Sequence, residues 1–343
     1  MAYTTINKST DYFNTVLYTG NGSTNAITGV GHQPDWTWIK ERGGAENHNL
    51  FDAVRGVTKR LRSNGSEAED TRSTSLTAFG ADGFTLGSGN QVNNSSDTYV
   101  AWNWKANGSG SANTDGSVNA TLSASATAGF SISTFTTPGS GTFTVGHGLG
   151  VAPKMIIYRP TTSSSWQVGH DSLGWTKFVA LNNTGAAADN TAFGNTAPTS
   201  TLWTGNTANV GANAPCIAYC FNSVQGYSKF GSYTGNGNAD GPMIYTGFRP
   251  AFVIYKGAVG GNAADNWEMA DNKRSPFNGI ENVLYPNLSN AEGTGVTTRM
   301  DFLSNGFKMR TNGSDYNGNG QTYIYMAFGQ TMVGSNDVTA KAT

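Results

Sequence analysis

Charge is scarce in this 343-residue chain: Asp, Glu, Lys and Arg make up 13% of it, and the formal net charge is -1. So thin and balanced a charge gives no electrostatic footprint for nucleic acid or an anionic membrane surface. No stretch approaches the length of a membrane span, and Met1-Ala-Tyr-Thr-Thr lacks the basic-then-apolar pattern of a secretory signal. The expectation is a protein made in a cytoplasm that stays there or leaves inside an assembly, with no membrane insertion. Cysteine is limited to Cys216 and Cys220. On one strand their Cα atoms would stand roughly 13 Å apart, beyond disulfide reach. No second pair completes a zinc site, so both read as structural thiols. Histidine is also rare: His32, His48, His147 and His170. No His-x-x-x-His pair, Gly-x-Ser-x-Gly elbow or phosphate-cradling loop accompanies them. Satisfied loop or core histidines are expected rather than catalytic ones, with no metal site and no cofactor.

Glycine and aromatics are plentiful: 45 Gly, 8 Trp, 14 Tyr and 17 Phe. Hydrophobic residues are only 37%, so large aromatic side chains must fill much of the core. The surface is left to Gly, Ser, Thr and Asn. Regularly spaced aromatic runs argue against disorder.

Laying the chain on itself reveals an internal repeat. Leu17-Tyr-Thr-Gly-Asn-Gly22 leads to Pro34-Asp-Trp36-Thr-Trp38-Ile-Lys40, and Ser232-Tyr-Thr-Gly-Asn-Gly237 leads to Pro250-Ala-Phe252-Val-Ile254-Tyr-Lys256. Between them lies Pro153-Lys-Met155-Ile-Ile157-Tyr-Arg159. The positions two and four after each proline are large and apolar, and the sixth is basic every time. A second block reads Tyr99-Val-Ala-Trp102-Asn-Trp104, Cys216-Ile-Ala-Tyr219-Cys-Phe221 and Tyr323-Ile-Tyr-Met326-Ala-Phe328. Its period of two, with one bulky face, marks strands packed on a core. Asp82-Gly83 and Asn305-Gly306 are hairpin turns leading into strands. Leu50, Val54, Val57 and Leu61 have helical spacing, but the stretches matched to them, Trp175 to Leu181 and Ile280 to Tyr285, are strand-like, so strands are favoured there.

The fold class is therefore all-β: three tandem, divergent β-sandwich units of jelly-roll or lectin-like type. The proposed division is an N-terminal arm (1–15), unit one (16–106), a Gly/Ser/Asn-rich linker (107–127), unit two (128–225), unit three (226–331) and a C-terminal tail (332–343). The linker accounts for the longer interval between Pro34 and Pro153, 119 residues against the 97 from Pro153 to Pro250. The polar arm is expected to order only against a neighbouring molecule.

Little chemistry is visible. Glycoside cleavage needs two carboxylates, and of Asp35, Glu41, Glu46, Asp52 and Asp82 most fall in expected turns and lack carboxylate matches in the other units. The basic run Arg55 to Arg62 is followed at once by Glu67, Glu69 and Asp70, which reads as a mutually paired surface. Lys40, Arg159 and Lys256 read as strand ends at the sheet rim, their stems covering apolar surface.

Trp36-Thr-Trp-Ile-Lys40, His48-Asn-Leu-Phe-Asp-Ala-Val-Arg-Gly56, Asp82-Gly-Phe-Thr-Leu-Gly87 and Tyr99-Val-Ala-Trp-Asn-Trp-Lys105 resemble a repeat of tail-fibre and other structural proteins of tailed bacteriophages, many of them marine. The likeness spans about residues 12 to 330. It implies a non-enzymatic virion protein whose partners are other virion proteins, with a homotrimer as one option. Two roles follow: a tail fibre or receptor-binding component touching a bacterial surface glycan, or a capsid decoration, tail or baseplate protein with no host ligand. A glycan site needs exposed aromatics beside polar loops, and Trp166, Trp175 and Trp203 are the candidates. The second role expects those rings to be buried in protein contacts.

Overall fold

The computed structural model describes residues 4–260, 265–293 and 298–330. Alternating residues form strands, and the chain is all-β. The first part contains β1 (Phe13–Thr19), β2 (Asn25–Ile27), β3 (Trp36–Glu41), β4 (Asn49–Asp52) and β5 (Lys59–Arg60). It continues with β6 (Asp70–Thr71), β7 (Leu76–Gly80), β8 (Gly83–Leu86) and β9 (Thr98–Trp104). Next come β10 (Ser111–Asn113), β11 (Ala120–Ser125), β12 (Phe130–Thr136), β13 (Thr142–Gly146) and β14 (Met155–Pro160). These are followed by β15 (Gln167–His170), β16 (Lys177–Ala180), β17 (Ala188–Asp189), β18 (Leu202–Asn206) and β19 (Pro215–Phe221). The last part contains β20 (Ser228–Thr234), β21 (Met243–Tyr245), β22 (Pro250–Val259) and β23 (Trp267–Asp271), then β24 (Met300–Leu303), β25 (Gly306–Met309) and β26 (Thr322–Gly329).

One strand order appears in three sheets: β1-β9-β3-β4, β12-β19-β14-β15 within a longer eight-stranded sheet, and β20-β26-β22-β23. A smaller sheet faces each: β2-β8-β7, β13-β18 and β21-β25-β24. The inner strands of these sheets are buried on both faces, which is why they read as nearly continuous apolar runs, whereas the edge strands β1 and β20 are partly exposed. β3 is buried at all six positions. Its Ile39 joins Phe51, Phe84 and Tyr99 inside the first sandwich. Its Trp36 and Trp38 point the other way, into a core shared with Phe130, Tyr219, Phe252 and Phe328. Rings from different units meet there: Trp36 and Tyr219 at 4.4 Å, Phe13 and Phe328 at 4.8 Å, Trp102 and Phe252 at 6.0 Å. Three sheets thus back onto one central core, and each also closes a core of its own.

Several expectations change. The 107–127 segment is not a free linker: β10 and β11 pair with each other, and β11 pairs with β12, widening the second sheet. Its Ala, Ser and Thr residues carry too little bulk to signal a strand in sequence. The N-terminal arm is part of the body, since Ile6 and Phe13 lie in the shared core and β1 pairs along its length with β9. The 332–343 tail lies outside the described residues. Residues 49–52 and 59–60 are strands, but the partners of β4 in the other units are β15 and β23 rather than the later stretches matched to it above. At Asp82-Gly83 and Asn305-Gly306 the glycines are required by close approach. A Cβ on Gly83 would lie 2.0 Å from the Ile27 carbonyl oxygen, and one on Gly306 at 2.0 Å from that of Ile244.

Candidate functional site

Trp166, Trp175 and Trp203 are all buried, the most accessible at 7%. Trp175 packs on Phe193 with centroids 5.5 Å apart, and Trp203 sits among Phe135, Phe143 and Tyr158. The Trp166 ring lies against the Arg159 guanidinium, and its indole N–H donates to the Arg62 carbonyl at 2.7 Å. No face of these rings is open to a sugar. They are spent on protein contacts.

The Trp166 bond belongs to a set. Trp38 Nε1 donates to His48 Nδ1, so the His48 proton sits on Nε2, which donates to the Tyr285 carbonyl at 3.0 Å. Trp267 Nε1 donates to the Ala180 carbonyl at 2.8 Å. His48, Trp166 and Trp267 each stand two residues before the strand position facing Trp38, Ile157 or Ile254. Each reaches into a different unit: one to three, two to one, three to two.

A second set follows the same circuit through the backbone. Two residues beyond each basic position, the carbonyls of Arg42, Thr161 and Ala258 accept from the amides of Glu292, Glu69 and Ala187 at 2.7, 2.7 and 2.8 Å. A third set uses the bulky column of the closing strands. Trp102 Nε1 donates to Asp271 at 3.0 Å, the Tyr219 hydroxyl donates to Asp52 at 2.8 Å, and His170 Nε2 donates to the Tyr325 carbonyl, next to Met326, at 3.2 Å. Asp52, His170 and Asp271 occupy one register position, opposite Trp36, Met155 and Phe252. The junctions form a closed three-membered ring of head-to-tail contacts. A buried bond of this kind contributes about 1 kcal/mol net, whereas leaving one partner buried and unpaired costs about 1–3 kcal/mol. The sets therefore select this arrangement against slipped ones.

The basic column caps the ring's loops rather than lying at an open rim. Lys40 Nζ donates to the carbonyls of Glu41 and Gly44, Lys256 Nζ to that of Gly257, and Arg159 to Gly65, Ser66, Glu67, Pro160 and Thr162. Burial pulls both lysines down to about 8 and Arg159 to about 10. The expected surface pairing of Arg55 with the acidic stretch is also largely buried: Arg55 binds Asp52 at 2.6 Å and Glu69 at 3.1 Å.

Each histidine is held toward its neutral form by burial, His170 down to about 4. His32 meets the Thr10 carbonyl and His147 that of Thr199. Among the carboxylates, Asp82 receives the amides of Gly29 and Gly31, and Asp35 that of Ala106. Cys216 and Cys220 are free thiols in the second sandwich core, Cys216 pushed up to about 12 by burial. Sequence reasoning passed over Glu268, which is buried beside Arg299 and accepts from the Tyr255 hydroxyl at 2.5 Å. Burial raises its carboxyl to about 7. Glu268 has no matching acid in the other units, so no column could signal it.

A cleft of about 870 Å³ lies between units one and two. Its floor is the Glu69–Thr161 junction, and the β11–β12 ribbon forms one wall. The side chains of Asn119, Thr121, Thr134 and Thr136 line that wall without a hydrogen bond to another described residue. Opposite lie Val54 and the Arg55–Glu69 pair. The cleft offers free hydroxyls and an amide, and its one cation is already neutralised.

A family model described as a domain of unknown function, DUF7483, matches residues 8–331. No curated protein matches the chain.

Proposed function

The chain belongs to the DUF7483 family, and we propose that it is a non-enzymatic structural component of a tailed-phage particle. The observation that carries this reading is the ring of junctions: its polar side chains, histidines included, are spent on holding three sandwiches as one body. The likeness of its strand motifs to phage structural proteins points the same way. The test is to quantify the chain in purified particles by mass spectrometry and to locate it by antibody labelling. A fixed copy number per particle is expected; absence from intact particles would overturn the proposal.

Within that reading, burial of Trp166, Trp175 and Trp203 favours a particle-building role over glycan contact through those rings. A role as tail fibre or receptor-binding component keeps one specific support, the Thr-lined cleft, whose uncommitted hydroxyls suit a neutral host-surface glycan. If the cleft does this, recombinant protein should compete with particles for adsorption to host cells, and Thr121→Val/Thr134→Val should compete less well.

A further inference from the structure

The ring makes the outer sides of the three sandwiches comparable, and they differ in what covers them. In unit two, β11 runs antiparallel along the outward edge of β12. The segment before it packs on β13: Ser117 and Thr144 exchange hydrogen bonds, Val118 N donates to the Thr144 carbonyl, and Asn113 abuts Gly146. Among the described residues, unit three has no such segment. Ile244, opposite Phe307, holds the place that Val145, opposite Trp203, holds in unit two. Met243 and Tyr245 therefore occupy the places of Thr144 and Gly146, and they are 42% and 57% exposed. In unit one the same places are Ala26 and Thr28, which are exposed but present no large apolar surface.

Beside this pair runs the edge of β20, whose Lys229 Nζ lies 5.5 Å from the centre of the Tyr245 ring. The Gly329 amide bonds the Tyr227 carbonyl and the Gly235 amide bonds that of Gln321, so odd-numbered residues face β26 and Ser232 faces outward. Lower on the edge, Ser228 and Phe230 donate locally to Val224 and Ser223. Among the described residues the Ser232 amide meets no acceptor. An unpaired edge is a template for strand addition, and its own hydrogen bonds supply affinity while side-chain contacts supply choice.

We infer that the open side of unit three accepts an extended strand from a neighbouring polypeptide, antiparallel to β20 and covering Met243 and Tyr245. The occupant is an uncharged segment patterned like Ala120-Thr-Leu-Ser-Ala-Ser125. In β11, Ala120 and Leu122 turn toward the sandwich and are buried, while Thr121 turns away. An incoming strand would likewise turn small or apolar side chains toward the sandwich and hydroxyls away from it, and the residues flanking it would lie over Met243 and Tyr245 as Asn113, Ser117 and Val118 lie over Gly146 and Thr144. The inference is independent of the particle reading, because any polypeptide of this pattern would serve.

The test pans a displayed library of random nine-residue peptides on the full chain and measures enriched peptides by fluorescence anisotropy. Ser232→Pro removes only an outward amide, a change edge strands tolerate. Tyr245→Ser alters a ring that is 57% exposed and stacks under Lys229, and the melting measurement separates lost binding from a disturbed β20. Expected are peptides of alternating apolar and hydroxyl residues that bind each variant at least tenfold more weakly than the parent, with melting unchanged. No enrichment over a blank surface, or enriched peptides that bind both variants as tightly as the parent, would overturn the inference.

Discussion

Units one and three present ionic loops to their neighbours, while unit two presents a neutral one in the same place. Asp52, Arg55 and Glu69 in the first match Asp271, Arg274 and Glu292 in the third, with Arg to Glu distances of 3.1 Å in both. The second has His170, Leu173 and Ala187, the last two packed on the shared core. The partner changes in step. Tyr219 and Trp102 carry donors and meet aspartates, whereas Met326 carries none, and His170 bonds a backbone carbonyl beside it. The ring therefore closes with either chemistry, provided each set is complete. Charge selects partner and register, and apolar burial supplies most of the cohesion.

The sharpest way to break this comparison is to leave one set incomplete. Asp271→Ala strands the fully buried Arg274 without its 2.6 Å partner; urea unfolding should show a loss of about 3–5 kcal/mol, the cost typical of half a buried pair. Exchanging the whole set for its neutral counterpart (Asp271→His, Arg274→Leu and Glu292→Ala together with Trp102→Met, and Arg42→Ala because Arg42 also binds Glu292 at 2.7 Å) should cost much less than the single change. If the fivefold variant is the less stable, the two chemistries are not interchangeable.

Next in size is Leu173→Ala at the neutral junction. Full burial would make it cost about 2–5 kcal/mol; Leu173 is only half-buried, so a loss below that range is expected, and a larger one would show the neutral junction to be the tighter. Acid should also find the neutral junction. Burial holds His170 at about 4 in the folded state, against about 6.5 unfolded. The folded form binds the proton less readily, so this contribution is complete above about pH 6.5 and is lost as pH falls toward 4. The groups facing the ring, Asp171, Lys154 and the Tyr325 carbonyl, do not reverse that sign. His170→Gln should flatten the acid limb of melting temperature against pH; an unchanged limb would assign it to other groups. The smallest effect concerns assembly. Because the ring uses head-to-tail contacts within one chain, light scattering should report about 36.1 kDa rather than a homotrimer. A threefold larger mass would show that a further interface exists.

Much of the strand pattern was legible. Trp36, Trp38, Trp102 and Trp104 are buried as their period of two requires, and the prolines set the register in which the sheets correspond. The candidate site was less legible. A tryptophan's burial depends on what lies across from it: Trp166 looked available because Arg62, whose carbonyl it meets, is 104 residues away. The hairpin at 111–125 escaped notice because small polar residues form a strand only when an edge such as β12 is offered.

The amino-acid sequence by itself determined the all-β class, the alternating columns and the positions of equivalent strands, since these depend on periodicities within a few residues. It did not determine that the bulkier face of each sheet turns inward to a common core, or that His48, Trp166 and Trp267 form one column. Those features depend on partners from 87 to 237 residues apart. Local periodicity says that a face is buried, but only the closed ring decides against what.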